Sequence, residues 1–100
     1  MQLSENSLEA IKRLCQIGKV KSLFAFGSVT REDYTNESDI DLVVDFDEND
    51  PLKYSELYFN LKDKLESLLL RKIDLLEERA IKNPFFKQEL EQTKVKIYGH

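Results

Sequence analysis

Two aspartates, Asp39 and Asp41, stand two apart at the head of the run Asp39-Ile40-Asp41-Leu42-Val43-Val44-Asp45-Phe46. That run alternates like a strand over Asp39 to Phe46, with Ile40, Leu42 and Val44 on one face and Asp39, Asp41, Val43 and Asp45 on the other. Both leading carboxylates then leave the same face, with Cα atoms roughly 6.5–7 Å apart, and their side chains can converge on one hard cation. A third carboxylate, Asp74 in Lys72-Ile73-Asp74-Leu75-Leu76, falls on the polar face of another short strand read over Arg71 to Leu76. Laid beside the first pair, it sits about one strand spacing away, ~4.8 Å. Carboxylates this close repel each other: at ~4 Å and an effective dielectric of ~20, a pair costs about 4 kcal/mol. A bound divalent metal relieves that repulsion. Oxygen-only donors without histidine or cysteine point to Mg²⁺ or Mn²⁺.

Upstream, the apolar run Leu23-Phe24-Ala25-Phe26 ends in Gly27-Ser28. Glycine lets the backbone approach a phosphate closely, and serine adds a hydroxyl and an N–H that can point at an anion. Arg31, just past this turn, is placed to add positive charge. Anion binder and carboxylates then share one end of a sheet, which suits a triphosphate bridged by metal. Taken singly, a Gly-Ser turn, an Asp-x-Asp pair and a strand aspartate are common features of surfaces. Their conjunction, Gly27-Ser28, then ten residues, then Asp39-Ile40-Asp41, then a helix and a strand bearing Asp74, is a specific pattern.

The elements that must position these groups follow from periodicity and caps. A helix is expected over roughly Ser4 to Ile17, capped by Ser4 or Ser7, with Leu8, Ile11, Leu14 and Cys15 on its apolar face and Gly18 as its C′ stop. Val20 to Phe26 reads as a strand covered on both faces, since its apolar run is continuous. Val29 to Glu37 is polar and reads as loop or one irregular helical turn. Asp50-Pro51 opens a long helix to about Leu70, with the stripe Tyr54, Leu57, Tyr58, Leu61, Leu65, Leu68 and Leu69. Asn83-Pro84 repeats that signature for a short helix over Phe85 to about Gln92, and Val95, Ile97 and Tyr98 form a final strand or extended tail. The short return between the first two strands favours antiparallel pairing. The crossover through the long helix allows a parallel third strand. The fold class is therefore α+β, a small mixed β-sheet with helices packed on one face, in a single domain over residues 1–100.

Bulk properties narrow the function. Charged residues make up 34% of the chain, hydrophobic residues 41%, and the net charge is −4 with a pI near 5.0. An acidic chain lacks the basic stripe that backbone neutralisation requires, so direct nucleic-acid binding is not expected. One cysteine, Cys15, excludes an internal disulfide, and the single histidine, His100, makes imidazole acid–base chemistry a poor prospect. The polar start MQLSENSLEA is unlike a signal peptide, and no apolar run approaches the ~18 residues of a membrane span. The expected location is the cytoplasm, with no membrane association.

The pattern resembles the minimal nucleotidyltransferases of the DNA polymerase β superfamily, whose motif is Gly-Ser, ten residues, Asp-x-Asp. Here Val29 to Ser38 fill the interval with no length mismatch, Phe26, Ser38 and Leu42 flank it as in the family, Asp74 matches the third carboxylate, and the tail IKNPFFKQELEQTKVKIYG looks like the usual ending. The resemblance covers essentially the whole chain. One departure is Glu32, in the Thr30-Arg31-Glu32 segment where family members often carry small-Arg-Gly. The resemblance implies a polymerase β-like core and two Mg²⁺ ions, held by Asp39 and Asp41 with Asp74 completing the site nearer the acceptor. It also implies Gly27 and Ser28 on the β and γ phosphates of ATP, and attack of an acceptor hydroxyl on the α-phosphorus.

Larger relatives carry a further domain for their acceptor, so this chain is expected to meet its acceptor on a partner. By resemblance the partner is a HEPN-domain ribonuclease toxin in a hetero-oligomer. The chain would then be an antitoxin that transfers AMP to a tyrosine of that toxin. Two other readings remain in view: an antitoxin that neutralises by binding alone, and nucleotidyl transfer to a small hydroxylated molecule.

Overall fold

The computed structural model describes residues 4–26 and 40–99. Helix α1 (Glu5–Ile17) leads into strand β1 (Val20–Phe26). After it come β2 (Ile40–Phe46), helix α2 (Pro51–Leu69), β3 (Ile73–Glu77), a 3₁₀ turn (Glu78–Ala80), helix α3 (Pro84–Thr93) and β4 (Val95–Gly99). The four strands lie in the order β3-β2-β1-β4. β1 pairs antiparallel with β2 and β4, and β2 pairs parallel with β3. The mixed α+β sheet expected from the sequence is the observed fold, with α1 and α2 packed on one face as expected and α3 on the other.

The helices start where their caps dictate. Ser4 is the N-cap of α1, accepting from the Ser7 N–H, so Ser7 is the donor in that cap. Asp50 accepts from the N–H groups of Leu52 and Lys53 ahead of α2, and Asn83 from those of Phe85 and Phe86 ahead of α3, each with proline next in line. The end of α1 departs from expectation. Gly18 is the C-cap itself, at φ −88°, and the left-handed residue is Lys19, at φ 59°. Lys19 is held there by its neighbours: its carbonyl accepts from the Asp47 N–H, and its ammonium bonds Glu48 at 3.0 Å.

One core lies between the sheet and the helices α1 and α2. Ile11 and Cys15 of α1 meet Leu23 and Ala25 of β1, Ile40, Leu42, Val44 and Phe46 of β2, Ile73 and Leu75 of β3, Ile97 of β4, and Tyr54, Leu61 and Leu65 of α2. The alternation expected along β2 is the one observed. Leu68 is a correction: it fits the apolar stripe of α2 by spacing but is 39% exposed, because it lies at the edge of the face centred on Leu61 and Leu65, beside a shallow groove shared with Arg13 and Leu14 of α1, while Leu69 still packs against the core. The Cys15 thiol is fully buried, and burial pushes its pKa up to about 12. The short α3 reaches the opposite face of the sheet. There Phe86 meets the Phe26 ring edge-on at 5.9 Å, and the Lys94 ammonium stands 4.1 Å above the Phe24 ring.

Burial separates residues that look alike in sequence. Leu65, fully buried in α2, should cost about 2–5 kcal/mol on substitution by alanine, while the 62% exposed Phe59 on the same helix should change stability by no more than about 0.5 kcal/mol. Urea denaturation of the two variants checks the contrast. Glu48 carries a pH signature: the Lys19 ammonium, with the Asp50 and Asn49 N–H groups, lowers its pKa from 4.5 to about 2. A lowered carboxyl pKa stabilises the fold above its unfolded value and loses that stabilisation as pH falls, here between 4.5 and about 2. Glu48→Gln should flatten the acid limb of the stability profile in that window and leave its neutral part unchanged in slope.

Candidate active site

The site is built from the parallel seam. Glu66, near the end of α2, accepts from the Ile73 N–H at 3.1 Å, and the Ile40 N–H donates to the Lys72 carbonyl at 3.3 Å. Leu70 makes the turn in the left-handed region at φ 54°, a strain of roughly 1–2 kcal/mol for a side chain with a Cβ. These contacts fix the register Ile40↔Ile73, Asp41↔Asp74, Leu42↔Leu75. Asp41 and Asp74 are therefore direct neighbours across one strand spacing, about 4.8 Å, on the sheet face opposite the core. Asp41 is half-buried and Asp74 exposed.

On the other side of β2, Phe26 pairs with Asp41, so its ring shares the face of the carboxylates. Phe86 packs on that ring and brings the N-terminus of α3 to the rim of the site. Tyr58 supports the β3 side from α2: its hydroxyl donates to the Leu75 carbonyl, one residue beyond Asp74. Burial, and then the charges of Glu77 and Asp74, raise the Tyr58 phenol pKa, which keeps it a proton donor.

Asp45 shares the face of Asp41 but lies four residues further along β2, roughly 13 Å away. Arg79 occupies it, with Nε donating to Asp45 Oδ1 at 2.8 Å and Nη2 to the Phe46 carbonyl at 2.7 Å. The guanidinium also lies 4.6 Å from the centre of the Tyr54 ring, whose hydroxyl reaches Asp45 at 3.5 Å. Burial, ahead of the Asp45 and Glu77 charges, pushes Tyr54 up to about 12. This end of the face is a structural clamp. A cavity of about 620 Å³ beside it, lined by Lys21, Ser22, Asp45, Arg79 and Lys94 among others, includes neither Asp41 nor Asp74.

Of the residues singled out in the sequence, the structure brings Asp41 and Asp74 together. Gly27, Ser28, Arg31, Glu32 and Asp39 lie outside the described residues, as does the Val29 to Glu37 stretch. Among the described residues no group of three potential ligands forms a metal site, and two of the three expected donors are the register pair Asp41 and Asp74. Two adjacent hard-oxygen donors, one of them exposed, fit a divalent cation of the Mg²⁺ type. Sequence reasoning did not find Glu66, Tyr58 or Arg79 as supports. Their partners lie 7, 17 and 34 residues away, and no local pattern marks them.

Comparison with known proteins agrees with this geometry. Residues 8–97 match the family model described as "Nucleotidyltransferase domain". A curated relative, "Putative protein adenylyltransferase MJ1379" of Methanocaldococcus jannaschii, is 46% identical over 74 residues, covering 74% of this chain and 73% of its own. A solved structure of a "putative minimal nucleotidyltransferase" superposes with a TM-score of 0.74 at 30% identity, over 90% of this chain and 88% of that one. A variant of the toxin–antitoxin complex MntA-HpeT gives a TM-score of 0.68 at 27% identity, over 99% of this chain and 75% of that one. The chain belongs to the nucleotidyltransferase domain family. Within it, the chain is a minimal nucleotidyltransferase.

The Phe26–Phe86 contact ties α3 to the strand that borders Asp41. A double-mutant cycle with Phe26→Ala and Phe86→Ala, read by denaturant unfolding, should give a coupling of about 0.5–1.5 kcal/mol beyond the loss of buried area. A coupling near zero would show that α3 stands over the site without this support.

Proposed function

We propose that this nucleotidyltransferase is a Mg²⁺-dependent protein adenylyltransferase. In this reading it transfers AMP from ATP to a hydroxyl, that of a tyrosine, on a HEPN-domain toxin, and thereby acts as its antitoxin. The observation that carries the chemistry is the Asp41↔Asp74 register pair, which sets two carboxylates of the expected triad side by side on the sheet face opposite the core. The choice of a protein acceptor is supported by the relative whose name is that of a protein adenylyltransferase, and the toxin partner by the likeness to a toxin–antitoxin complex.

In this reading Asp39, Asp41 and Asp74 hold the metal, and Gly27, Ser28 and Arg31 contact the triphosphate. Mg²⁺ held there would neutralise the phosphate charge and acidify the acceptor hydroxyl. Asp74, the exposed member on the β3 side, accepts the hydroxyl proton. The acceptor oxygen forms a bond to the α-phosphorus, the bond from that phosphorus to the bridging oxygen breaks, and pyrophosphate leaves with the bonding pair. The remaining catalytic contribution is positioning and charge stabilisation.

The test incubates the purified chain with Mg²⁺, ATP labelled at the α-phosphate and the product of the adjacent open reading frame, which this reading expects to be a HEPN protein. Label should appear on the HEPN protein and fall at least ~10²-fold for Asp41→Ala and Asp74→Asn, with both variants still folded by circular dichroism. Tight complex formation without label, equal in wild type and variants, would replace this reading with neutralisation by binding. Absence of both complex and label would remove the toxin from the account.

A further inference from the structure

In-line displacement at phosphorus puts the entering and leaving oxygens on opposite sides of the reacting atom. In the sheet, β2 with Asp41 lies between β1 and β3. Under the proposed reading, on which this inference rests, the residues that directly follow β1 hold the leaving pyrophosphate. The acceptor hydroxyl then enters from the β3 side, over Asp74.

From that side the surface is shaped across β2 toward α3. A groove of about 430 Å³ is lined by Leu76, Ala80, Ile81, Lys82, Asn83 and Phe86. Leu76 follows Asp74 by two residues in β3, so it shares the face of that carboxylate at roughly 6.5–7 Å. One wall of the groove, Leu76, is therefore next to the candidate catalytic centre, though neither Asp41 nor Asp74 lines the groove itself. Leu76, Ile81 and Phe86 are half-buried, and among the described residues Lys82 is the one charged residue of the lining. Beside Phe86, the ring of Phe85 is 80% exposed at the start of α3. Its backbone is held by the Asn83 cap at 2.9 Å, so the exposed ring stands on an ordered turn. An exposed aromatic on a fixed backbone, next to an apolar groove, is the composition of a protein-docking hot spot. A nucleobase is too small to cover both the groove and the Phe85 ring, whereas a polypeptide covers both.

We infer that the groove between Leu76, Ile81 and Phe86, with the projecting Phe85, docks the polypeptide acceptor. An apolar side chain of the acceptor seats in the groove next to the residue that carries the hydroxyl. Lys82 faces an acidic group of the acceptor, which complements its positive charge.

The experiment uses the full chain and the partner protein from the adjacent open reading frame. It measures KM for that protein, KM for ATP and kcat, together with the Kd of the complex without ATP by calorimetry, for wild type, Phe85→Glu and Lys82→Glu. Phe85→Glu should raise acceptor KM and Kd at least ~10-fold, and Lys82→Glu by a smaller factor, with ATP KM and kcat within about twofold of wild type. Both side chains are exposed, so thermal melting should be unchanged. Unchanged acceptor KM and Kd, with label transfer intact, overturn the docking site and leave the transferase reading standing. A rise in ATP KM instead assigns the groove to the nucleobase and overturns it as well. If the wild type binds without transferring label, the Kd alone decides: weakening by Phe85→Glu upholds the docking site while the transfer reading fails. If the wild type forms no complex, both are overturned.

Discussion

The parallel pairing of β2 with β3 is the constraint on which the rest of the molecule depends. Parallel neighbours cannot be joined by a hairpin, so the chain must leave the sheet and travel back before re-entering. The 19 residues of α2 make that return, a length of roughly 28 Å, and they bury Tyr54, Leu61 and Leu65 on the way. The register of β3 is then enforced by hydrophobicity. A slip of one residue would turn Ile73 and Leu75 out to solvent and Asp74 into the core. The core face thus determines where the carboxylate on the other face must stand.

Much of this was legible because the signals are local. Alternation along Ile40 to Phe46 assigned the faces of β2, and Asp50-Pro51 and Asn83-Pro84 marked the starts of α2 and α3. The continuous apolar run at Leu23 to Phe26 called for cover on both sides, and α3 supplies the second cover through Phe86 and Lys94. The illegible parts depend on distant partners. Lys19, not Gly18, takes the left-handed conformation because Asp47 and Glu48 hold it from another element. Leu68 fits the period of its helix, yet periodicity alone cannot say how wide the buried face of α2 is. The 3₁₀ turn carrying Arg79 reads as a plain charged run, since its role appears only when Asp45 and the Phe46 carbonyl stand opposite. For the candidate site, alternation was enough to place Asp41 and Asp74 on one face.

The sheet face opposite the core carries two carboxylate environments within one strand. At one end Asp45 is met by the fixed fork of Arg79, a geometry that lysine could not reproduce. At the other end Asp41 adjoins Asp74, where like charges face each other. The clamp at the first end joins β2, α2 and the segment after β3, and so braces the far end of the seam. Holding the strands together is thereby the task of Asp45, and under the proposed function meeting a cation is that of Asp41 and Asp74.

The burial of Cys15 has a practical consequence. It is the chain's one cysteine, and enclosure in the core keeps it a neutral thiol, whereas the thiolate is the form that alkylating and oxidising reagents attack. The native fold therefore has a chemically quiet sulfur background. A cysteine introduced at any exposed position becomes the one site for a fluorophore or spin label, without first removing the natural residue and opening a void beneath α1.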